Sequence, residues 1–316
     1  MEQVQAIWKA RAKRFDSVLV KWRETRTHPH DVDERKGKPE NAEQQREHIA
    51  IATIPTFDSL LLLDGTRARY ETRLLSIASR TYPTSVSAFD GSLSRLLIED
   101  SRGGGIIARA TELDEFRSVS LKPILTLYRT LAPDVLYWRS YTMEMSGSHE
   151  PVDGVSCQRV QIISRDNGQV ATVWFDNSRE ALPLRCKIVS SMKITCDVHI
   201  RYDEHSVDRM TPREWEVSFT TEDGKILESE RATGISVAER PAVQENDFKI
   251  MFPRGTVVID KRGGKPMKMV SEGNDLLRPY TPSDARGTSA NWLWPILAIA
   301  LLAIVVGAVY RWRLRS

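Results

Sequence analysis

The chain lacks the short motifs that mark the common catalytic sites. It contains no Gly-x-Ser-x-Gly, no His-Glu-x-x-His, no Gly-x-x-x-x-Gly-Lys-Ser/Thr loop, and no Gly-x-Gly-x-x-Gly after a strand. Its three cysteines include no Cys-x-x-Cys pair, which argues against a zinc knuckle or a thioredoxin-type site. We therefore expect a non-enzymatic protein with no catalytic residue, no metal and no cofactor.

The six histidines are scattered along the sequence. His28 and His30 resemble a metal-binding pair, but an isolated His-x-His in a polar loop is a weak signal. His199 and His205 have acidic neighbours and could build a metal or acid–base site. Charges that alternate on the solvent face of a strand give the same pattern, and we favour that interpretation.

The chain has no large excess of charge of one sign, because it contains 45 basic and 42 acidic residues and has a net charge of +3. A balance this even does not indicate binding to nucleic acid or to acidic substrates. The 28% of charged residues suits a solvated surface around a core of ordinary size.

Long apolar runs are missing except near the C-terminus, where the sequence reads WLWPILAIALLAIVVGAVY from Trp292. A helix of that length spans about 28 Å, close to the apolar thickness of a bilayer. Trp294 at one end and Tyr310 and Trp312 at the other suit the headgroup level. The sequence therefore predicts a single transmembrane helix over 291–311. A buried core helix, the alternative, fits poorly with a terminal segment that is apolar all round.

The flanks of this span predict its orientation. Arg311, Arg313 and Arg315 follow it, and the positive-inside rule places the basic tail, 312–316, in the cytoplasm and the large domain outside, on the periplasmic side. No signal peptide is visible in 1–26, which is charged throughout. Two interpretations stay open: the start omits a signal segment, which we favour, or the protein is tail-anchored with a cytoplasmic domain.

Cys186 and Cys196 flank a possible hairpin turn near Ser190–Met192. If the turn is centred on Ser191, the two cysteines lie opposite each other on adjacent strands, close enough to bridge. A disulfide would suit an oxidising compartment. Two unpaired thiols on strands are at least as compatible with the pattern.

The N-terminal half predicts a helix followed by hairpins. Apolar spacing over 2–15 indicates a helix, and from Val18 the period changes to two, which indicates a half-buried strand. Residues 27–48 are almost entirely polar and predict a solvated insertion. Asp64–Gly65 and Asp90–Gly91 each predict a type I′ hairpin turn with φ > 0 at both central residues.

An apolar stripe over 113–131 predicts a second helix. Beyond it, short strand patterns separated by polar turns indicate antiparallel neighbours. Residues 261–290, rich in Lys, Gly, Pro, Ser and Asp, predict a linker between a domain ending at 260 and the anchor. The predicted fold class is therefore mainly β (α+β): a curved antiparallel sheet or incomplete barrel covered by helices, plus one C-terminal transmembrane helix.

This layout resembles the lipoprotein-carrier, or LolA-like, fold. The resemblance is carried by AIWKARAKRFDSVLVKW, by the Phe89–Gly91 hairpin, by DGVSCQRVQI and VATVWFDNSREALPLRCKI, and by YDEH followed by MTPREWEV. It covers about residues 2–260. The chain departs from the soluble carrier in its predicted membrane anchor and in its longer first loop, and a tethered protein cannot shuttle across a compartment.

The resemblance implies a concave apolar pocket beneath a helical lid. That pocket would hold a lipid, a lipoprotein or another hydrophobic ligand. Alternatively, the same fold would serve as an envelope sensor or scaffold that binds a protein partner, such as a membrane protein. Pocket residues are expected at the inward positions of the first strand and the lid helix: Val18, Val20, Trp22, Leu121, Leu125 and Tyr128.

Overall fold

The computed structural model describes residues 1–27, 56–75, 84–99, 104–109, 121–131, 140–165, 168–190, 193–203, 210–263 and 265–281. Within these ranges there are two α-helices, α1 (Glu2–Arg14) and α2 (Lys122–Tyr128), and two 3-10 turns, Asn177–Arg179 and Glu245–Phe248. The strands are β1 (Ser17–Thr27), β2 (Thr56–Asp64), β3 (Arg67–Leu74), β4 (Thr84–Phe89), β5 (Leu93–Glu99), β6 (Gly104–Arg109), β7 (Tyr141–Val152), β8 (Val155–Ser164), β9 (Val170–Asp176), β10 (Leu182–Val189), β11 (Thr195–Tyr202), β12 (Pro212–Thr220), β13 (Ile226–Glu239), β14 (Val257–Asp260), β15 (Met267–Gly273) and β16 (Leu276–Pro279).

These strands form one sheet in the order β16-β15-β14-β6-β5-β4-β3-β2-β1-β13-β12-β11-β10-β9-β8-β7. Each neighbouring pair is antiparallel except β6 and β14, which run parallel. Strand β1 therefore lies between the hairpins that follow it in sequence and β13, which returns from the C-terminal half. The mainly β fold class predicted from the sequence is confirmed.

Helices α1 and α2 share one apolar cluster with one side of the sheet, here called the helix-bearing face. Consecutive residues of a strand point to opposite sides, and Phe89 belongs to this cluster whereas Ala88 belongs to a second, smaller one. The smaller cluster therefore lies on the opposite side, where Ile250 and Phe252 cover part of β4, β5, β6 and β14.

The predicted linker is wrong over 267–279, because β15 and β16 extend the sheet there. Strand β15 pairs with β14, and Ser271 fixes the pairing: its hydroxyl donates to Phe252 O at 2.8 Å and its N–H to Thr256 O at 2.9 Å. Polar composition concealed these strands, since several of their side chains are exposed at the sheet margin.

Both hairpins predicted at Asp-Gly are present, but their turns differ from type I′. Strand β2 ends at Asp64, which pairs with Arg67, so Gly65 and Thr66 are the central residues. Only Gly65 has a positive φ, of 59°. In the second hairpin the Asp90 side chain accepts from the N–H groups of Ser92 and Leu93 at 2.9 and 2.8 Å, and this side-chain capping shapes the turn.

The register of β10 and β11 separates the two cysteines. Cys186 pairs with Val198 and Cys196 pairs with Ile188, so the cysteines are diagonal neighbours instead of facing residues. Both are free thiols. The alternative with facing cysteines is wrong, because Cys186 pairs two residues further along β11 than Cys196.

Helix α2 is shorter than the predicted 113–131 at its C-terminal end. Arg129 leaves helical geometry with φ −129° and ψ 48°, and the Thr130 hydroxyl donates to Thr126 O at 2.8 Å, which satisfies a terminal carbonyl. Residues 113–120 lie outside the described part of the chain, as do 28–48 of the predicted insertion.

Neither α1 nor α2 is long and apolar enough to cross a membrane, and the structure describes no other α-helix. The predicted span 291–311 and the tail 312–316 lie outside the described residues.

Candidate binding site on the helix-bearing face

Helix α1 is attached to the sheet through two carbonyl groups of one turn. Trp8 Nε1 donates to Ala181 O at 2.7 Å, and the Arg11 guanidinium donates to Glu180 O and Ala181 O. Glu180 and Ala181 have φ of 52° and 50°, a left-handed geometry that orients both carbonyls toward the helix. Burial lowers the pKa of Arg11, against the opposing effect of Tyr202. The helix position is thus set by directional bonds as well as by apolar packing.

Every side chain of α2 is buried: Lys122, Pro123, Ile124, Leu125, Thr126, Leu127 and Tyr128. The helix contacts β10, β11 and β12, and Tyr128 meets Phe15 with ring centroids 4.2 Å apart. A seven-residue helix has little stability of its own in water, because nucleation is costly. Its helical form therefore depends on docking into the sheet.

Two cysteine thiols lie under α2. The Thr126 side chain is beside Cys186, and Lys122 is close to both Cys186 and Cys196. Burial raises the pKa of the Cys186 thiol to about 12, and burial likewise raises the pKa of Cys196. Both groups are therefore protonated and poor nucleophiles at neutral pH.

Strand β1 contributes Val18, Val20 and Trp22 to the same face. The Trp22 ring lies 6.0 Å from Tyr70 in a stacked arrangement and 5.5 Å from Trp215. Tyr70 lies on β3 and Trp215 on β12, so the three rings form an aromatic row across this face on both sides of β1.

Beyond Trp22 the helix-bearing face becomes charged. Glu24 accepts from Trp22 Nε1 and from Arg26, whose Nε also lies 3.4 Å from Glu230. Arg26 donates to the Tyr70 hydroxyl at 3.0 Å. Burial acts to lower the pKa of Arg26, but Tyr70 and the two carboxylates outweigh it and raise the value. The face is thus amphipathic, apolar near the helices and ionic at its far end.

The structure brings together all six residues predicted to line the pocket. Each is buried, and all belong to the apolar cluster shared by α1, α2 and the sheet: Val18, Val20, Trp22, Leu121, Leu125 and Tyr128. They pack against one another with α2 in place, and their role in ligand binding stays a prediction.

Sequence reasoning missed the ionic end formed by Glu24, Arg26 and Glu230. Continuing the period of two from Val18 through Trp22 would have placed Glu24 and Arg26 on the same face. Charged residues are normally assigned to solvent, and that general expectation concealed them.

A groove of about 450 Å³ runs beside α1 near the end of α2. Its lining combines apolar residues with Lys9, Lys13, Arg129 and Asp16, and the apolar members are Trp8, Ala12 and Leu131. The groove is open to solvent at the margin of the helix-bearing face.

The described residues contain no group of three or more His, Cys, Asp or Glu side chains arranged to hold a metal ion. His199 lies 3.4 Å from Asp197, which also binds Arg185. Burial raises the pKa of the Cys157 thiol to about 11, which disfavours its use as a nucleophile.

Several solved structures are similar to this chain. A domain identified as an outer membrane lipoprotein-sorting protein, from Vibrio parahaemolyticus, shares 12% identity with a TM-score of 0.44 and covers 78% of this chain and 94% of its own. The complex of MucA and MucB from Pseudomonas aeruginosa shares 11% identity with a TM-score of 0.24, covering 86% of this chain and 77% of its own. A structure of PNGF-II shares 8% identity with a TM-score of 0.24, and the match covers 77% of this chain and 32% of the PNGF-II chain.

A lipoprotein-sorting domain, the class of protein that the sequence pattern resembles, is thus among the similar structures. At these identities the similarity concerns the fold alone. No family model matches the sequence, and no curated protein sequence matches it.

Proposed function

We propose that this domain is a non-enzymatic binding module that holds an acyl chain, or another hydrophobic ligand such as a lipoprotein anchor, on its helix-bearing face. One observation carries the proposal: α2 is buried on all sides, yet it is too short to be stable unless docked. It occupies apolar space that a ligand of similar character fills when α2 leaves. Apolar area that the ligand buries then offsets the apolar area that α2 exposes when it leaves.

The pocket residues divide between a fixed wall and a movable part. Val18, Val20 and Trp22 belong to a strand paired on both sides, so they form the wall. Leu121, Leu125 and Tyr128 belong to α2, so they move with it. When α2 leaves, it uncovers Cys186 and Cys196, and the bound ligand then contacts both side chains.

The direct test uses the native Cys186 as one half of a lock. In the full chain, Thr126→Cys places a second thiol beside Cys186, and mild oxidation ties α2 to β10. We expect the oxidised variant to bind a fluorescent fatty acid at least about tenfold more weakly than the reduced one, with recovery after reduction. A Thr126→Cys, Cys186→Ser variant cannot form this bond and serves as the control. Equal binding by the locked and reduced forms would show that α2 does not leave.

A second test examines the protein as it is purified. Denatured extracts of the full chain should contain acyl chains in a fixed molar ratio to the protein. Extracts free of acyl chains across preparations, together with a protein partner recovered by crosslinking, would favour the sensor or scaffold alternative.

We further propose that the domain works beside a membrane, attached by the predicted span 291–311 with the basic tail inside. Tethering raises the effective concentration of a membrane-borne ligand. Protease added to cells with a permeabilised outer barrier should digest the domain and spare a C-terminal tag. Resistance until the inner membrane breaks would place the domain in the cytoplasm.

A further inference from the structure

We propose that the groove beside α1 binds the anionic headgroup of an acyl-chain lipid whose tail enters the site under α2. The proposal rests on the proposed function and adds the chemical class of the ligand. Three cationic side chains and one carboxylate, Asp16, line the groove. The cations are Lys9, Lys13 and Arg129.

Lys9 and Lys13 stand four residues apart on α1, so they project from the same side of the helix. Both are exposed, and like charges at this spacing oppose helix formation. Cations near a helix C-terminus offset the helix dipole, which accounts for Lys13 in the last turn but not for Lys9. An anion held between the two ammonium groups removes the repulsion.

Arg129 is fixed at the groove wall before any ligand arrives. Its guanidinium donates to Gly65 O at 2.7 Å, and Gly65 N–H donates to Asp16 O at 2.9 Å. Burial lowers the pKa of Arg129, and Asp16 opposes that shift. The cation is thus partly stripped of water and held by the β2–β3 turn, as a preorganised anion site requires.

The apolar part of the groove selects a lipid headgroup over a free anion. Trp8, Ala12 and Leu131 offer no interaction to inorganic phosphate, but they suit the first carbons of an acyl chain. Leu131 also packs against the apolar cluster that contains Tyr128. A chain anchored in the groove therefore meets the seam between α1 and α2 directly.

The test uses the full chain in phosphatidylcholine vesicles that contain a few per cent of a photoreactive lipid. One probe is phosphatidylglycerol and the other phosphatidylcholine, each with the same diazirine-bearing acyl chain, and labelled peptides are mapped by mass spectrometry. The Lys9→Gln, Lys13→Gln variant is compared with Lys225→Gln, an exposed lysine in a distant turn. Thermal unfolding of each variant confirms that the fold is intact.

We expect the anionic probe to label peptides of β1, β10 and α2 several times more than the zwitterionic one. Labelling by the anionic probe should fall roughly fivefold in the double variant, as expected for the loss of two exposed ion contacts, whereas Lys225→Gln should leave it unchanged. Excess inorganic phosphate should compete weakly.

Equal labelling by both probes, unaffected by the double variant, would overturn the headgroup assignment and leave the proposed function standing. Labelling confined to the outer side of α1 would overturn it in favour of a membrane-surface contact. Complete competition by inorganic phosphate would assign the groove to a free anion. Absence of labelling on the helix-bearing face with either probe would overturn the proposed function itself.

Discussion

Gly105 of β6 lies directly against the ring of Phe252. A Cβ built at Gly105 would lie 2.6 Å from Phe252 Cδ1, and this ring is buried in the smaller cluster. Gly105→Ala should therefore lower the free energy of unfolding by about 1–3 kcal/mol through overpacking. Urea denaturation measures the change.

Gly104 is the matched control, since a Cβ there meets nothing within 4 Å. Gly104→Ala should change the free energy of unfolding by less than about 0.5 kcal/mol. Equal losses for the two variants would mean that strand propensity, and not the ring, sets the cost.

Asp197 should contribute a pH-dependent part of the stability. Burial acts to raise its pKa, but hydrogen bonds from His199 and Arg185 lower it to about 2. The unfolded value is about 3.9, so the stabilisation is present above about pH 4 and is lost as the pH falls through about 2. Asp197→Asn should cost about 1.5 kcal/mol at pH 5 and much less at pH 2.5 in urea unfolding. A cost that is the same at both pH values would contradict this assignment.

Single residues also show what the sequence could reveal. The alternation of Val18, Val20 and Trp22 identified a buried strand face correctly, because apolar period is a local signal. Glu24 continues that face as a buried carboxylate, which is stabilised by Arg26 and Trp22. No local pattern distinguishes such a residue from a solvent-exposed glutamate.

At the scale of elements, α2 should open independently of the sheet. Leu127→Ala removes a buried contact of α2 at a cost of about 2–5 kcal/mol, and the helix has little stability of its own to compensate. Labelling by a maleimide under native conditions should accelerate at Cys186 and Cys196, which lie under α2. Cys157 should react at an unchanged rate, because it is buried near Asp176 and Arg179.

The exposed Leu276, at 62% exposure, supplies a matched leucine, and Leu276→Ala should leave all three labelling rates unchanged. Acceleration of all three thiols together in Leu127→Ala would indicate global unfolding and contradict local opening of α2.

Elements with strong local patterns were predicted well, and elements defined by distant pairing were not. The spacing of apolar residues gave α1 within one residue at its C-terminal end. The parallel contact between β6 and β14 joins residues about 150 positions apart, and nothing local encodes it. The β10–β11 hairpin is local, and its register was missed for another reason: a shift of two residues keeps every side chain on the same face, so apolar alternation does not distinguish the two pairings.

At the scale of the whole molecule, two apolar clusters on opposite sides stabilise one sheet. The segment between β13 and β14 crosses the side opposite the helices, where Arg67 stacks on Phe248 at 4.7 Å and Arg69 donates to Asp247 O at 3.0 Å. Strand β14 then joins β6 and carries β15 and β16. The stability of the sheet at the end formed by β6 and β14 therefore depends on residues beyond 260.

A chain ending at 260, the boundary expected from composition, should be less stable than one ending at 281. The shorter chain loses the Ser271 bonds to Phe252 and Thr256, and it leaves β14, which contains the buried Val258, as an edge strand paired only with β6. We expect lower solubility and an earlier urea transition for the shorter chain, since an exposed apolar edge favours association. Ser271→Ala in the longer chain should reproduce part of the loss, about 1 kcal/mol. Identical urea midpoints for the two chains would show that β15 and β16 are dispensable and that the sheet is complete at β14.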